Sequence, residues 1–156
     1  MKKLIPTAIK LKFRVIKRHI TDLKFISKNR FAEKRPQENI SGFSITIKQE
    51  IKKGTHFDNK IHNLKLASKT INQVCIYPDE LFSFWKIVGN PSESNGFKKG
   101  RNIVNQKISE ETGGGLCQLS GIIYHTALLA NLEILERHNH SVDIYSEEER
   151  FTPLGA

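Results

Sequence analysis

The sequence has few cysteines and no long hydrophobic run. Its 156 residues include two cysteines, Cys75 and Cys117, which excludes a disulfide scaffold and a four-cysteine zinc site. No stretch approaches the roughly 18 apolar residues of a membrane-spanning helix. Residues 1–9 also lack the apolar run of about 7–15 residues and the small-residue cleavage site of a secretory signal. We therefore expect a cytoplasmic protein with reduced thiols.

Positive charge is concentrated at one end of the chain. Residues 1–35 contain 12 Lys and Arg against Asp22 and Glu33, a net charge of +10, whereas the rest of the chain carries −1. The basic character therefore belongs to an N-terminal arm, which with the linker after it spans residues 1–40. The hydrophobic and charged fractions, 38% and 26%, are those of a globular domain, and the length predicts one such domain.

The arm has a helical period. Apolar side chains recur at spacings of four and three residues, at Ile9, Phe13, Ile16, Ile20 and Leu23. This pattern predicts a basic amphipathic helix, and residues 9–30 are the candidates for contact with an anionic membrane surface on the inner face. The alternative is a helix packed on the domain core with a solvated basic face. Nucleic acid is a weaker candidate because the aromatic-interleaved basic motifs of RNA-binding modules are missing.

Residues 41–156 mix strand and helix patterns and form the predicted domain. Strands are predicted where apolar and polar residues alternate or form short apolar runs, at residues 43–47, 74–77, 102–108, 132–137 and 141–145. Two helices are predicted, one capped by Asp58 or Asn59 and ending near Asn72, the other a buried helix over residues 116–131. Because these elements do not alternate as regular βαβ units, the sequence predicts an α+β fold with a mainly antiparallel sheet.

The most informative motif is a run of three glycines followed by a cysteine. Gly113, Gly114 and Gly115 permit backbone torsions closed to other residues and a close approach to the main chain. Cys117 is then expected in the first turn of the buried helix, where free N–H groups and the helix dipole favour the thiolate and lower the thiol pKa. Such a thiol is a candidate nucleophile, and the same N–H groups are candidate oxyanion donors.

A catalytic cysteine needs a base, and two histidines follow on a predicted strand. His138 and His140 share one face of that strand, as in papain-like sites, and Gln118 is a candidate oxyanion donor. The structural alternative is a buried cysteine beside a tight glycine turn. The spacing of Cys117, His138 and His140 fits no standard zinc site. We expect no metal and no cofactor.

These residues resemble the VanW family, which takes its name from an accessory protein of B-type vancomycin resistance. The resemblance rests on the motif from Gly113 to Ser120, on residues 132–138 and 140–142, and upstream on residues 63–72 and 78–85. It covers about residues 55–156 and implies a role with cell-wall precursors in glycopeptide resistance, but no reaction. Family members continue past Ala156 with further strands, so we expect the C-terminal strands of the domain to be missing from this chain.

Two hypotheses follow from the motif and the resemblance. In the first, Cys117 attacks an acyl carbon of a peptidoglycan-type peptide, with His138 or His140 as base, which makes the protein an acyl hydrolase or transferase. In the second, the protein is a non-catalytic module that binds an anionic group of a cell-wall precursor. Gly113, Gly114, Gly115 and Ser120 are the candidate substrate-binding residues in either case.

Overall fold

A computed structural model describes residues 20–21, 23, 30–36, 42–104 and 107–138, with backbone alone for residues 102–104, 107 and 108. The described residues belong to two compact units. The first comprises those of Met1–Arg35 together with Gln73–Ser83, and the second those of Pro36–Asn72 together with Phe84–Ala156.

The first unit is built from four two-residue strands. They are β1 (Arg30–Phe31), β2 (Glu33–Lys34), β3 (Val74–Cys75) and β4 (Glu80–Leu81). β1 pairs with β4 in parallel and β2 pairs with β3 antiparallel. Ala32, between β1 and β2, is buried, and its N–H donates to the carbonyl of Leu81. Strands this short supply few ladder bonds, so side-chain contacts carry much of the connection between the two chain segments.

An arginine provides that connection. The Arg35 guanidinium donates to both carboxylate oxygens of Glu80, at 2.8 and 2.6 Å, and to the carbonyl of Cys75 at 3.0 Å. It also lies over the ring of Tyr77, 4.4 Å from the centroid. The hydrogen bond from Arg35 lowers the pKa of Glu80, and the backbone N–H of Tyr77 lowers it further. Bidentate pairing of this kind fixes orientation as well as distance.

The second unit contains three helices and one hairpin. The helices are α1 (Phe57–Ile71), α2 (Phe84–Val88) and α3 (Leu116–Leu129), and a 3₁₀ turn covers Glu93–Asn95. The antiparallel hairpin joins β5 (Lys99–Val104) to β6 (Lys107–Thr112). The core cluster consists of Ala67, Val88, Phe97 and Leu116, with Leu66, Ile71, Phe84 and Leu119 packed against it.

The α+β class predicted from the sequence is confirmed, and so is the start of a helix at the glycine-cysteine motif. The predicted cap of α1 is wrong. His56 is the N-cap, in the left-handed region with φ 63°, and no side chain caps the helix. The helix begins earlier than predicted because its first backbone bond runs from the N–H of Lys60 to the carbonyl of His56. Asp58 therefore lies inside the first turn, where its negative charge favours the helix N-terminus.

Two predicted strands are wrong, and a third falls outside the described residues. Residues 43–50 and 132–138 have no strand pairing. Exposure alternates along residues 44–50 as predicted, but Phe43, predicted on the half-buried face, is exposed. Ile20, Thr21 and Leu23 are helical and exposed, while the rest of the amphipathic helix and residues 141–145 lie outside the described residues. No helix in the part that the structure describes has both the length and the apolar character to cross a bilayer.

Candidate functional site

The glycine-cysteine motif forms a tight turn that leads directly into α3. Gly113 and Gly115 have φ of 90° and 100°, in the left-handed region that favours glycine. The N–H of Gly113 bonds to the carbonyl of Lys98, and the N–H groups of Gln118 and Leu119 bond to the carbonyl of Gly115. Cys117 is the second residue of α3. The predicted place of the thiol in the first helical turn is therefore confirmed.

The three glycines allow other parts of the same chain to approach the turn closely. A Cβ on Gly114 would lie 2.6 Å from the α-carbon of Gly100, a Cβ on Gly113 would lie 2.8 Å from Cβ of Pro91, and one on Gly115 would lie 2.8 Å from Cγ of Lys60. Side chains at these positions would collide with neighbouring protein atoms. Packing thus explains all three glycines, and their part in substrate binding stays a prediction.

A buried asparagine joins the turn to α1 and to the hairpin. Asn63 is fully buried. Its amide N–H group donates to the carbonyls of Lys98 and Gly114, at 2.9 and 3.0 Å, and its Oδ1 accepts from the N–H of Lys98 at 2.8 Å. The sequence analysis missed this residue. One feature of the sequence indicated its burial. Asn63 lies four residues before Ala67 and therefore on the same face of α1, and Ala67 is the other fully buried residue of this helix.

The Cys117 thiol is reduced and half-buried. Burial raises its pKa, and a hydrogen bond from its own backbone N–H lowers it by less. The prediction of a lowered pKa is therefore wrong. The physical reason is that desolvation of the thiolate outweighs the favourable helix N-terminus, because the first turn of α3 packs into the apolar core through Leu116.

Of the two predicted bases, the structure describes only His138. His138 is exposed, and its Nε2 lies 2.5 Å from Oε1 of Glu136. Within the described part of the chain, no hydrogen bond joins the ring of His138 to Cys117. His140 lies outside the described residues. No three His, Cys, Asp or Glu side chains converge as metal ligands in the ranges that the structure describes.

The other two predicted site residues bond within the chain. The Gln118 side-chain amide donates to the carbonyl of Glu50 at 3.2 Å. The Ser120 hydroxyl donates to the carbonyl of Cys117 at 3.0 Å, a bond internal to α3. Gln118 therefore holds the segment before α1 against the start of α3. Its predicted role as an oxyanion donor, and the role of Ser120 in binding, remain untested predictions.

Two basic residues adjoin the glycine turn, Lys60 through its side-chain stem and Arg101 through its backbone. The Lys60 stem covers Gly115, and the backbone N–H of Arg101 is 3.1 Å from the Cβ position of Gly114. Burial lowers the pKa of Lys60, and the charge of Arg101 lowers it further. In the described residues Lys60 has no ion pair. Arg101 stands opposite Glu110 in the hairpin, whose carboxylate contacts Nε2 of His56 at 2.6 Å.

Comparisons with known proteins cover this same region. The chain matches the model of the VanW-like protein family over residues 59–155. It is 39% identical over 90 residues to the vancomycin B-type resistance protein VanW of Enterococcus faecalis, covering 58% of this chain and 33% of that protein. It is 35% identical over 83 residues to the uncharacterized protein YoaR of Bacillus subtilis, covering 53% of this chain and 27% of that protein.

The matches to these two relatives thus span a third of their length or less. No solved structure gives a significant match. The family match includes α1, the hairpin, the glycine turn and α3, which are the elements that build the candidate site.

Proposed function

The chain belongs to the VanW-like protein family, and from this we propose that it is an accessory protein of glycopeptide resistance that binds an anionic group of a cell-wall precursor. The observation that carries the binding function is the half-buried Lys60 on the glycine turn, without an ion pair among the described residues. Burial and a second cation both disfavour the charged form of this lysine. A bound anion would therefore stabilise the Lys60 charge.

The chemistry of the proposed site suits a carboxylate or a phosphate. Lys60 and Arg101 supply positive charge beside the start of α3, where the helix dipole adds to it. Cell-wall precursors carry both kinds of anion. The raised pKa of the Cys117 thiol fits a binding role because binding requires no thiolate.

The proposal also assigns a membrane-binding role to the basic N-terminal arm. Lipid-linked precursors are made at the cytoplasmic face of the membrane, and residues 9–30 carry the positive charge that an anionic surface attracts. We expect the full chain to bind vesicles that contain anionic lipid, and to lose that binding as salt is raised. Vesicle binding that does not depend on lipid charge or on salt would contradict this role of the arm.

The binding function is tested with Lys60→Met, which removes the charge and keeps the stem over Gly115. Lys65→Met is the matched control, because Lys65 is an exposed lysine of the same helix. The affinity of the full chain for a soluble peptidoglycan-type stem peptide and for inorganic phosphate is measured by calorimetry. We expect about a tenfold loss with Lys60→Met, as for one charged hydrogen bond, and none with Lys65→Met. Equal affinity of both variants and the parent would contradict the proposal.

Catalysis by Cys117 is the second candidate, favoured by the carboxylate of Glu136 beside His138, since a carboxylate orients the imidazole of a catalytic base. In this reaction the imidazole takes the thiol proton as sulfur attacks the acyl carbon. The leaving amine then receives that proton, and water hydrolyses the thioester.

Cys117→Ser separates the two candidates. Binding predicts unchanged affinity and unchanged resistance in cells, whereas catalysis predicts unchanged affinity with loss of resistance.

A further inference from the structure

We propose that residues 43–51 bind an extended acidic peptide as an added β-strand next to the candidate site. The inference rests on the proposed function for the identity of the natural ligand, because a cell-wall stem peptide is an acidic peptide. The segment itself is a separate surface from the cationic pair of Lys60 and Arg101.

The segment has the form of a strand without a partner. Residues 43–50 run without turn, bend or helix, and the side chains at 45, 47, 49 and 51 are half-buried while those between them are exposed. In the described residues, no backbone group of 43–51 is bonded to another backbone group. A strand with an unpaired row of N–H and C=O groups is a template for a further strand.

The Gln118 side chain bonds to one edge of the segment, and the other edge has no backbone partner in the part of the chain that the structure describes. The carbonyl of Glu50 accepts from the Gln118 side chain, so the backbone groups of Glu50, and of residues spaced two apart from it, face α3. In a strand, neighbouring residues direct their N–H and C=O to opposite edges. The N–H and C=O groups of Ile45, Ile47 and Gln49 therefore belong to the open edge.

Charge and position indicate the occupant. Within residues 43–51 Lys48 balances Glu50, and Lys52 and Lys53 follow directly, so charge at this end of the segment favours an acidic peptide over a basic one. Gln118 is the residue after Cys117, and its bond to Glu50 makes the segment continuous with the motif at the start of α3. A peptide paired with the segment would thus lie beside the candidate site.

The test is amide hydrogen exchange on the full chain, alone and with two probes. One probe is a soluble peptidoglycan-type stem peptide and the other is a linear acidic peptide rich in Glu, Thr and Val. We expect the amides of Ile45, Ile47 and Gln49 to exchange rapidly in the free protein. With either probe bound, we expect exchange at these amides to slow by about tenfold or more.

A pair of proline variants locates the binding edge. Gln49→Pro removes a donor from the open edge, whereas Thr46→Pro removes one from the edge that faces α3. We expect Gln49→Pro to weaken binding of the linear acidic peptide about fivefold or more and Thr46→Pro to leave it near the parent value. Equal effects of the two variants would overturn the assigned edge, and a cooperative melt of each variant shows that it is folded.

The remaining outcomes separate the inference from the proposed function. Protection of these amides without any peptide would overturn the inference, because this chain or a second copy would already cover the edge. Binding of the stem peptide without protection at residues 43–51 would overturn the inference and leave the proposed function standing. Protection by the linear peptide, with no binding of the stem peptide or phosphate anywhere, would support the strand site and overturn the proposed function.

Discussion

Gly100 and Gly114 meet backbone to backbone, the first in strand β5 and the second in the turn before α3. A Cβ on Gly114 would lie 2.6 Å from the α-carbon and 2.7 Å from the carbonyl carbon of Gly100. Neither atom belongs to a side chain that can rotate away. The hairpin and the turn can therefore come this close because both positions lack a side chain.

Gly114→Ala should accordingly destabilise the protein. The new methyl group forces the turn away from the hairpin, and overpacking of this kind costs about 1–3 kcal/mol of the free energy of unfolding. Gly54→Ala is the matched control, since nothing lies within 4 Å of its Cβ position. Its free energy of unfolding should stay level or rise by up to about 1 kcal/mol. Urea unfolding of both variants measures the difference, and equal midpoints would contradict the packing of Gly114.

The buried amide of Asn63 is the second feature on which the turn depends. Asn63→Ala leaves the N–H and C=O of Lys98 and the C=O of Gly114 without their partner. Since each unsatisfied buried group costs about 1–3 kcal/mol, we expect a loss of about 3 kcal/mol. Asn59→Ala serves as control, because the bond from Asn59 to the carbonyl of Lys99 is exposed. Its loss should be about 0.5–1.5 kcal/mol. A similar midpoint for the two variants in thermal unfolding would refute the buried role of Asn63.

The pair of Arg35 and Glu80 predicts a pH dependence in the first unit. Because hydrogen bonding to Arg35 lowers the pKa of Glu80, the ionised carboxyl is favoured in the folded state. The stabilisation is present above the unfolded pKa of about 4.3 and is lost as pH falls through the lower folded pKa. The protection factor of the Ala32 amide, which donates to Leu81, should therefore fall in acid, once the slower intrinsic exchange at low pH is taken into account.

Glu80→Gln should lower the protection factor of the Ala32 amide at neutral pH and make that factor less dependent on pH in the acid range. Glu33→Gln is the control, because Glu33 is 73% exposed and 3.7 Å from the Arg35 guanidinium. Its exchange profile should follow the parent, since exposed pairs contribute little. The same acid response in Glu80→Gln as in the parent would show that another carboxyl is responsible.

The sequence predicts the parts of this fold that depend on local chemistry. Three glycines before an apolar run correctly predict the turn and the start of α3. Strand pairing could not be predicted in the same way, because a strand forms only with a partner strand and the local sequence pattern does not show which segment that partner is. Residues 43–47 have the right alternation and no ladder. The burial of Asn63 on the core face of α1 could not be predicted, because the residue is polar and its burial depends on the backbone groups of Lys98 and Gly114, which are distant in sequence.

The largest correction concerns the acidity of Cys117, and it yields a direct measurement. The sequence predicts that Cys117 lies at a helix N-terminus, which favours the thiolate. It does not predict how deeply the thiol is buried, and burial disfavours the thiolate more strongly than the helix favours it. In a Cys75→Ser background, the rate of alkylation of Cys117 should rise with pH to a midpoint above the ordinary thiol value of about 8.5. A short unstructured peptide around the same cysteine is the control and should show the ordinary midpoint.

The raised pKa also sets the sign of a stability effect. Because the folded state favours the neutral thiol, Cys117 adds stability that is fully present below the unfolded pKa and is lost as pH rises through the folded value. Cys117→Ala should remove this part of the alkaline fall in the free energy of unfolding. If the alkylation midpoint instead lies well below 8.5, the thiolate is stabilised at rest. The catalytic candidate would then displace the binding function as the better account of the motif.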